Sequence, residues 1–383
     1  MTQNCNEKAQ QYFSDKVKPE VLEQLIQNGQ PHFGIFSQVK DINYLDYHSH
    51  LISQKSLPNW RKNLKVNQFC FIQIVHSPYR VCLALATIKL ATSAFVYLYN
   101  DETNEIEVGE ALQPLTHDTH LEGDCYQGQM AFTHKNLTLT LGFIPSQVNV
   151  VLDSQSLALD ATLQRQALPL AVCTPTGRRG WTFTQKEPLT KVIGHLSIKN
   201  NSKLNHKNKV QQIAFNDDSV ANLDWTLGYM RYETNWFWSC INSYLPDGRH
   251  FALNLAMGVN ETGASENACW LDGQIVYLPP VMFIRDGLNL PSNKQDNAAK
   301  VVARLDSMPQ PWRIYHQNLG WSNVDIDLTF TPVTVYKKTD NFGIVASIFE
   351  QWLGFYSGEI RIKDEVIKLD KVMGLAEDHF AKW

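Results

Sequence analysis

Hydrophobic and polar residues alternate with a period of two along much of this chain. The clearest case is 324–331, where Val324, Ile326, Leu328 and Phe330 alternate with Asp325, Asp327, Thr329 and Thr331. Successive side chains of a strand point to opposite faces, so this stretch makes one dry face and one wet face. In the first half, 64–74, 79–88 and 91–99 are apolar, β-branched or aromatic runs divided by short polar breaks, and they predict strands. The pattern continues at 124–134, 137–144, 148–152, 181–184 and 192–198. In the second half, strands are predicted over 224–244, 250–260, 268–271, 274–284, 312–318, 324–336, 343–356, 359–369 and 373–383. Pro246, Asp247, Gly248 and Arg249 predict a hairpin turn centred on Asp247 and Gly248, and Asp272 with Gly273 predicts another. Helical spacing is confined to 6–28, where Val17, Val21, Leu22 and Leu25 recur before the stop signal Asn28–Gly29. The polar stretch 292–304 suits a short helix or a loop.

The stretch 199–209, KNNSKLNHKNK, is nearly free of apolar residues, and reads as a domain linker or a long hairpin tip. A boundary near it divides the chain into an N-terminal helical segment (1–30), a first β domain (31–205) and a second (206–383). Each half then carries about eight strands, the number that closes an up-and-down barrel around one small ligand. The expectation is an all-β fold: two lipocalin-like antiparallel β-barrels in tandem with a short N-terminal helix.

A length of 383 residues fits about two domains, and 44% hydrophobic with 19% charged residues fits packed cores. A net charge of −4 leaves no basic excess to neutralise phosphates, so no nucleic-acid partner is expected. The first residues show no secretory pattern and no run of eighteen apolar residues occurs, which predicts a cytoplasmic protein with no membrane span. Seven scattered cysteines without a close pair read as small buried hydrophobes, with no metal site and no cofactor expected. No glycine-rich phosphate loop and no G-x-S-x-G turn occurs.

Candidate chemistry concentrates in the second half. In DWTLGYMRYETNWFW (224–238), an unbroken strand places Asp224, Thr226, Gly228, Tyr232, Thr234, Trp236 and Trp238 on one face and Arg231, Glu233 and Phe237 on the other. The hairpin then pairs Trp238 near Met257 and puts Asn254 on the opposite, small-residue face; a one-residue bulge would exchange these assignments. The aromatic residues either fill core space or line a pocket for a flat apolar ligand. Arg231 is either half of a surface pair with Glu233 or a charge needing a buried partner. The loop NETGASEN (260–267) followed by Trp270 sits between two strands, where Asn260, Glu266 and Asn267 could reach a ligand at a barrel mouth. Near the C-terminus, Glu377 and His379 share a strand face, as an acid–base pair or as a structural hydrogen bond. Glu350 interrupts an apolar face and is a further buried-acid candidate. The catalytic candidates are Asp224, Glu266, Glu377 and His379; the ligand-binding candidates are Arg231, Trp236, Trp238, Asn254, Asn260, Asn267 and Trp270.

Several segments resemble a bacterial and fungal family known as a domain of unknown function: GWTFTQK (180–186), 224–238, NLAMGVN (254–260), ENACW (266–270), Pro311–Trp312 and GLAEDHFAKW (374–383). That family is similar, distantly, to the tandem calycin proteins, which include carotenoid hydratases and related isoprenoid or polyketide cyclases. The resemblance implies two packed lipocalin-like domains and a small apolar, isoprenoid- or lipid-like ligand. It also admits acid-catalysed hydration, cyclisation or isomerisation of an apolar alkene, or a structural module with no ligand. It assigns no catalytic residue.

Overall fold

A chain patterned with period two satisfies its backbone by pairing strands, and the computed structural model consists almost entirely of them. It describes residues 20–382 apart from 49–55, 88–90, 116–118, 178, 206–208, 260–264, 286–309, 317–322, 342 and 344. The α-helix among these residues is the short Asn59–Asn63. No helix among them is long and apolar enough to cross a membrane.

Three large antiparallel sheets make the fold. The first has eight strands in the order Gly34–Phe36, Leu170–Thr176, Gly180–Leu189, Val220–Tyr229, Asn67–His76, Tyr79–Thr87, Ala91–Asn100 and Ile106–Pro114. The second has seven, running from Thr119–Leu121 through four consecutive hairpin-linked strands to Lys191–Ile198 and Gln211–Ala214. These two sheets enclose one core, with Phe132, Phe143, Trp181, Phe183 and Trp225 fully buried in it. The third sheet has nine strands, in the order Gln274–Tyr277, Ala268–Leu271, His250–Met257, Glu233–Tyr244, Glu365–Lys382, Ala346–Ile362, Val324–Asn341, Trp312–Tyr315 and Met282–Arg285. It curls around a separate core that includes Ile241, Phe251, Trp312, Phe330 and Tyr356. The protein is thus all-β, with two barrel-like units in tandem.

The eight-stranded sheet is covered on both faces. Its inner face closes the first core. Its outer face, through Phe71, Cys82, Tyr97 and Tyr99, packs on Trp238, Cys240, Leu353, Met373 and Leu375 of the nine-stranded sheet. Two-sided burial explains why 79–88 and 91–99 read as nearly continuous apolar runs, whereas 324–331, wet on one side, alternates. The six described cysteines are buried and unbridged.

The structure corrects four expectations. Residues 20–28 are not helical: Val21–Leu22 pairs with Gln38–Val39, and Ile26–Gln27 forms a hairpin with Gln30–Pro31. Asn28 and Gly29 both have positive φ, the backbone of a two-residue hairpin turn rather than of a helix stop. The rest of the expected helix, and the stretch 292–304, lie outside the described residues.

Second, the strands that flank 199–209 pair with each other, Gln211–Ala214 with Lys191–Ile198, so the stretch is no domain linker; residues 206–208 lie outside the described residues. Val220–Tyr229 lies between Gly180–Leu189 and Asn67–His76 in the eight-stranded sheet, so residues up to 229 belong with the first two sheets. The segment 224–238 is therefore not one strand; it leaves the first unit and enters the second across Met230, Arg231 and Tyr232.

Third, the hairpin register is shifted by one, with Phe237 opposite Met257 and Trp238 opposite Ala256. Its loop is Pro246, Asp247 and Gly248, closed by Leu245 and Arg249, with Gly248 at φ 85°. A three-residue loop ending in a left-handed glycine replaces the two-residue turn, and one residue of slip moves Ala252, Asn254 and Ala256 onto the face of Trp238. Fourth, the interior of the nine-stranded sheet is filled by its own side chains, and the cavity described below lies between the two units.

Phe71 is 1% exposed and meets Trp238 edge-on at 5.6 Å across the interface. Phe71→Ala should cost about 3–5 kcal/mol in urea unfolding, the range for a buried aromatic truncated to Ala. A loss below about 1 kcal/mol would show that the two units do not depend on this contact.

Candidate functional site

Cross-strand rows on the two facing sheets define a space between them. On the nine-stranded sheet, Thr234, Ala381, Ser347 and Asp340 form one row, Trp236, His379, Phe349 and Lys338 the next, and Trp238, Glu377, Gln351 and Tyr336 a third. On the eight-stranded sheet, the corresponding rows are Thr182, Gly228 and Asn67; then Thr184, Thr226, Phe69, Ala86 and Ser93; then Lys186, Asp224, Phe71, Ala84 and Phe95. The cavity between them measures about 150 Å³, and most of its lining surface is apolar. Tyr97 closes one end by donating from its hydroxyl to Gln351 Oε1 at 2.6 Å. Lys338 and Tyr336 hold the units together at one side, through Ser93 Oγ at 3.0 Å and Glu110 Oε2 at 2.8 Å.

Two polar clusters interrupt the apolar wall. On the first unit, the Lys186 ammonium donates to Asp224 Oδ2 and lies 3.5 Å from Glu266 Oε2, a residue brought in by the second unit. Burial works against the charge on Lys186, but the carboxylates of Asp224, Glu266 and Glu377 outweigh it and raise its pKa above the ordinary lysine value. Burial also raises the Asp224 carboxyl above the usual carboxylate range, although Lys186 opposes the shift. Three buried carboxyl groups thus face one buried ammonium, where full ionisation would leave uncompensated negative charge.

On the second unit, Glu377 accepts from the Trp236 indole at 2.9 Å and from Gln351 Nε2 at 3.0 Å. The His379 ring packs on Trp236 with centroids 4.2 Å apart. Its Nε2 lies 2.9 Å from Ser347 Oγ, and its Nδ1 lies 3.6 Å from Glu377 Oε1, too far for a good hydrogen bond. Two neighbouring strands thus present a carboxylate and an imidazole from Glu365–Lys382 and a hydroxyl from Ala346–Ile362 along one wall.

The structure brings six of the sequence candidates together around this cavity: Asp224, Trp236, Trp238, Glu266, Glu377 and His379. The others stand elsewhere. Asn254 lies behind Trp238, accepting from its indole at 2.7 Å and donating to the Glu266 carbonyl at 2.6 Å. Asn267 staples its own loop, accepting from Ala256 N and donating to Pro279 O. Trp270 is buried against Leu170 and Val172 and donates to Leu168 O at 2.8 Å. Arg231 donates to the Gly258 carbonyl at 2.9 Å and does not line the cavity. Asn260 lies outside the described residues. Glu350 is no buried acid: burial disfavours its charge, but hydrogen bonds and charge from Lys337 and Arg285 hold its pKa below the ordinary glutamate value.

Lys186, Asn67, Thr234, Ser347 and Gln351 were not among the candidates. Lys186 was readable, since a lysine followed by an acid inside an apolar strand needs a buried partner. The others become visible only when two sheets are brought face to face.

A family model described as a domain of unknown function (DUF2804) matches residues 28–383. No curated protein matches the sequence. Among solved structures, CghA has a TM-score of 0.51 at 10% identity, covering 82% of this chain and 88% of that one. CghA with Sch210972 has the same score and identity, with 83% and 89% covered. Kievitone hydratase from Nectria haematococca has a TM-score of 0.46 at 14% identity, with 82% and 88% covered. The likeness to CghA is one of fold alone, and it agrees with two barrel-like β units in tandem.

Asp224 yields a pH prediction. A carboxyl whose folded pKa is raised contributes stability while protonated and loses it as pH rises through the folded value. Asp224→Asn mimics the protonated form, so the variant should gain stability relative to the unmodified protein as pH rises from about 4, near the unfolded aspartate value, toward neutrality. Urea unfolding at a series of pH values measures this; parallel curves would refute the raised carboxyl.

Proposed function

The chain belongs to the DUF2804 family, a domain of unknown function, and we propose that it binds a small, largely apolar molecule in the cavity between its two units. The observation that carries this reading is the wall itself. Phe69, Phe71, Phe95, Trp236, Trp238 and Phe349 surround a space of about 150 Å³ into which a few polar groups converge. A cavity of roughly that size has room for a benzene-sized guest, and aromatic walls with fixed polar anchors are the usual form of a ligand pocket. The guest is a flat ring or a prenyl-sized unit, alone or as part of a longer isoprenoid- or lipid-like molecule.

Acid catalysis on an apolar alkene is the second reading, favoured by the buried carboxyl of Asp224 beside an aromatic wall. Asp224 would donate its proton to one alkene carbon, Trp236 and Trp238 would stabilise the resulting cation through their ring faces, and water would add to the cation and return a proton to the carboxylate. Glu377 and His379 line the opposite wall and could orient that water.

Native mass spectrometry of the protein purified from its own host should reveal a bound apolar small molecule, displaced when Trp238→Arg fills the cavity with a charge. An empty protein that also shows no calorimetric response to benzene-sized apolar probes would end the binding reading. If a ligand is recovered, incubating it with the protein in D2O distinguishes the second reading. Deuterium should enter a carbon of the ligand with the native chain and not with Asp224→Asn.

A further inference from the structure

At the end of the cavity nearest the passage between units, the side chain of Asn67 is buried to 1% exposure, and neither its Nδ2 nor its Oδ1 has a hydrogen-bond partner among the described residues. The Oγ1 of Thr234, on the facing sheet, is buried and unpartnered as well. Both residues line the cavity. Buried polar groups are almost always paired, and a donor and an acceptor left unpaired on one side chain make an unusually costly exception. In the row Thr182, Gly228, Asn67, the residue beside Asn67 carries no side chain that could partner it.

We propose that the ligand carries a neutral planar group, a carboxamide or an un-ionised carboxyl, that docks on Asn67 with its apolar remainder against the aromatic wall. A carboxamide side chain presents one donor and one acceptor side by side in a plane. Its complement presents an acceptor and a donor in the same arrangement, giving two parallel hydrogen bonds. A ketone or ester satisfies only Nδ2, a carboxylate turns a second acceptor against Oδ1, and a hydrocarbon satisfies neither. Thr234 takes whichever lone pair or proton of the guest remains. The inference rests on the binding reading above and adds to it the polar end of the guest.

Benzamide, acetophenone and cumene have nearly the same shape and differ in presenting donor and acceptor, acceptor only, or neither. Their affinities for the full chain and for Asn67→Leu, measured by calorimetry, separate hydrogen bonding from differences in hydration. Asn67→Leu should weaken benzamide about tenfold relative to cumene, with acetophenone between, because one or two net hydrogen bonds are lost. Thr234→Val, which keeps the shape of the side chain, should weaken benzamide less and leave cumene unchanged. It also gives a second reading if Asn67→Leu fails to fold. If cumene binds and both variants change all three probes by the same factor, the docking proposal is wrong while the binding reading stands. If no probe binds the native chain, the docking proposal is wrong, and the binding reading falls with it when the native mass spectrum is also empty.

Discussion

The burial of one sheet on both of its faces governs this structure. The eight-stranded sheet closes the first core with one face and supports the second unit with the other, so its strands lack the wet side that an ordinary antiparallel sheet keeps. Tight packing along the interface, from Phe71 against Trp238 to the bond between Tyr97 and Gln351, excludes water. Where side chains on the two sheets stop meeting, a chamber remains between them. The charges of Lys186, Asp224 and Glu266 acquire their character from that surrounding, since the same trio on a surface would be screened and worth little.

Much of the fold is legible in the sequence. Period-two alternation at Ile326, Leu328 and Phe330 marks a strand with one buried face, and these three residues are fully buried. Asp272–Gly273 forms the turn its composition demands, both residues with positive φ. The misreadings have local physical causes. Leu22, Leu25 and Ile26 are all buried, which imitates a helical stripe, but a chain that bends through Asn28 and Gly29 reaches the same core with short strands. The segment 224–238 reads as one strand because nothing in Met230, Arg231 and Tyr232 breaks the pattern, and strand periodicity carries no information about which sheet a residue joins.

The site was legible to a different degree. Parity places Asp224, Thr226, Gly228, Tyr232, Thr234, Trp236 and Trp238 on a common side; all but Gly228 and Tyr232 line the cavity, although they reach it from two sheets. Asn254 was assigned to the other face because one residue in the Pro246–Gly248 loop reverses every assignment beyond it. Asn67 and Ser347 carry no local signal at all; a single asparagine opening a strand is ordinary until a second sheet covers it. The segments that carry the family resemblance, 180–186, 224–238, 254–260, 266–270 and 374–383, are the ones that supply Lys186, Asp224, Trp236, Trp238, Ala256, Val259, Glu266, Glu377 and His379 to the lining.

The passage at residues 230–232 has a mechanical consequence. The polypeptide crosses from one unit to the other beside the chamber, and the two walls are also joined across it through Tyr336 with Glu110 and Lys338 with Ser93. A guest held between them adds further contacts that bridge both walls. Occupancy would therefore fuse the melting of the two halves into a single event, and an empty chamber would leave them freer to come apart in turn.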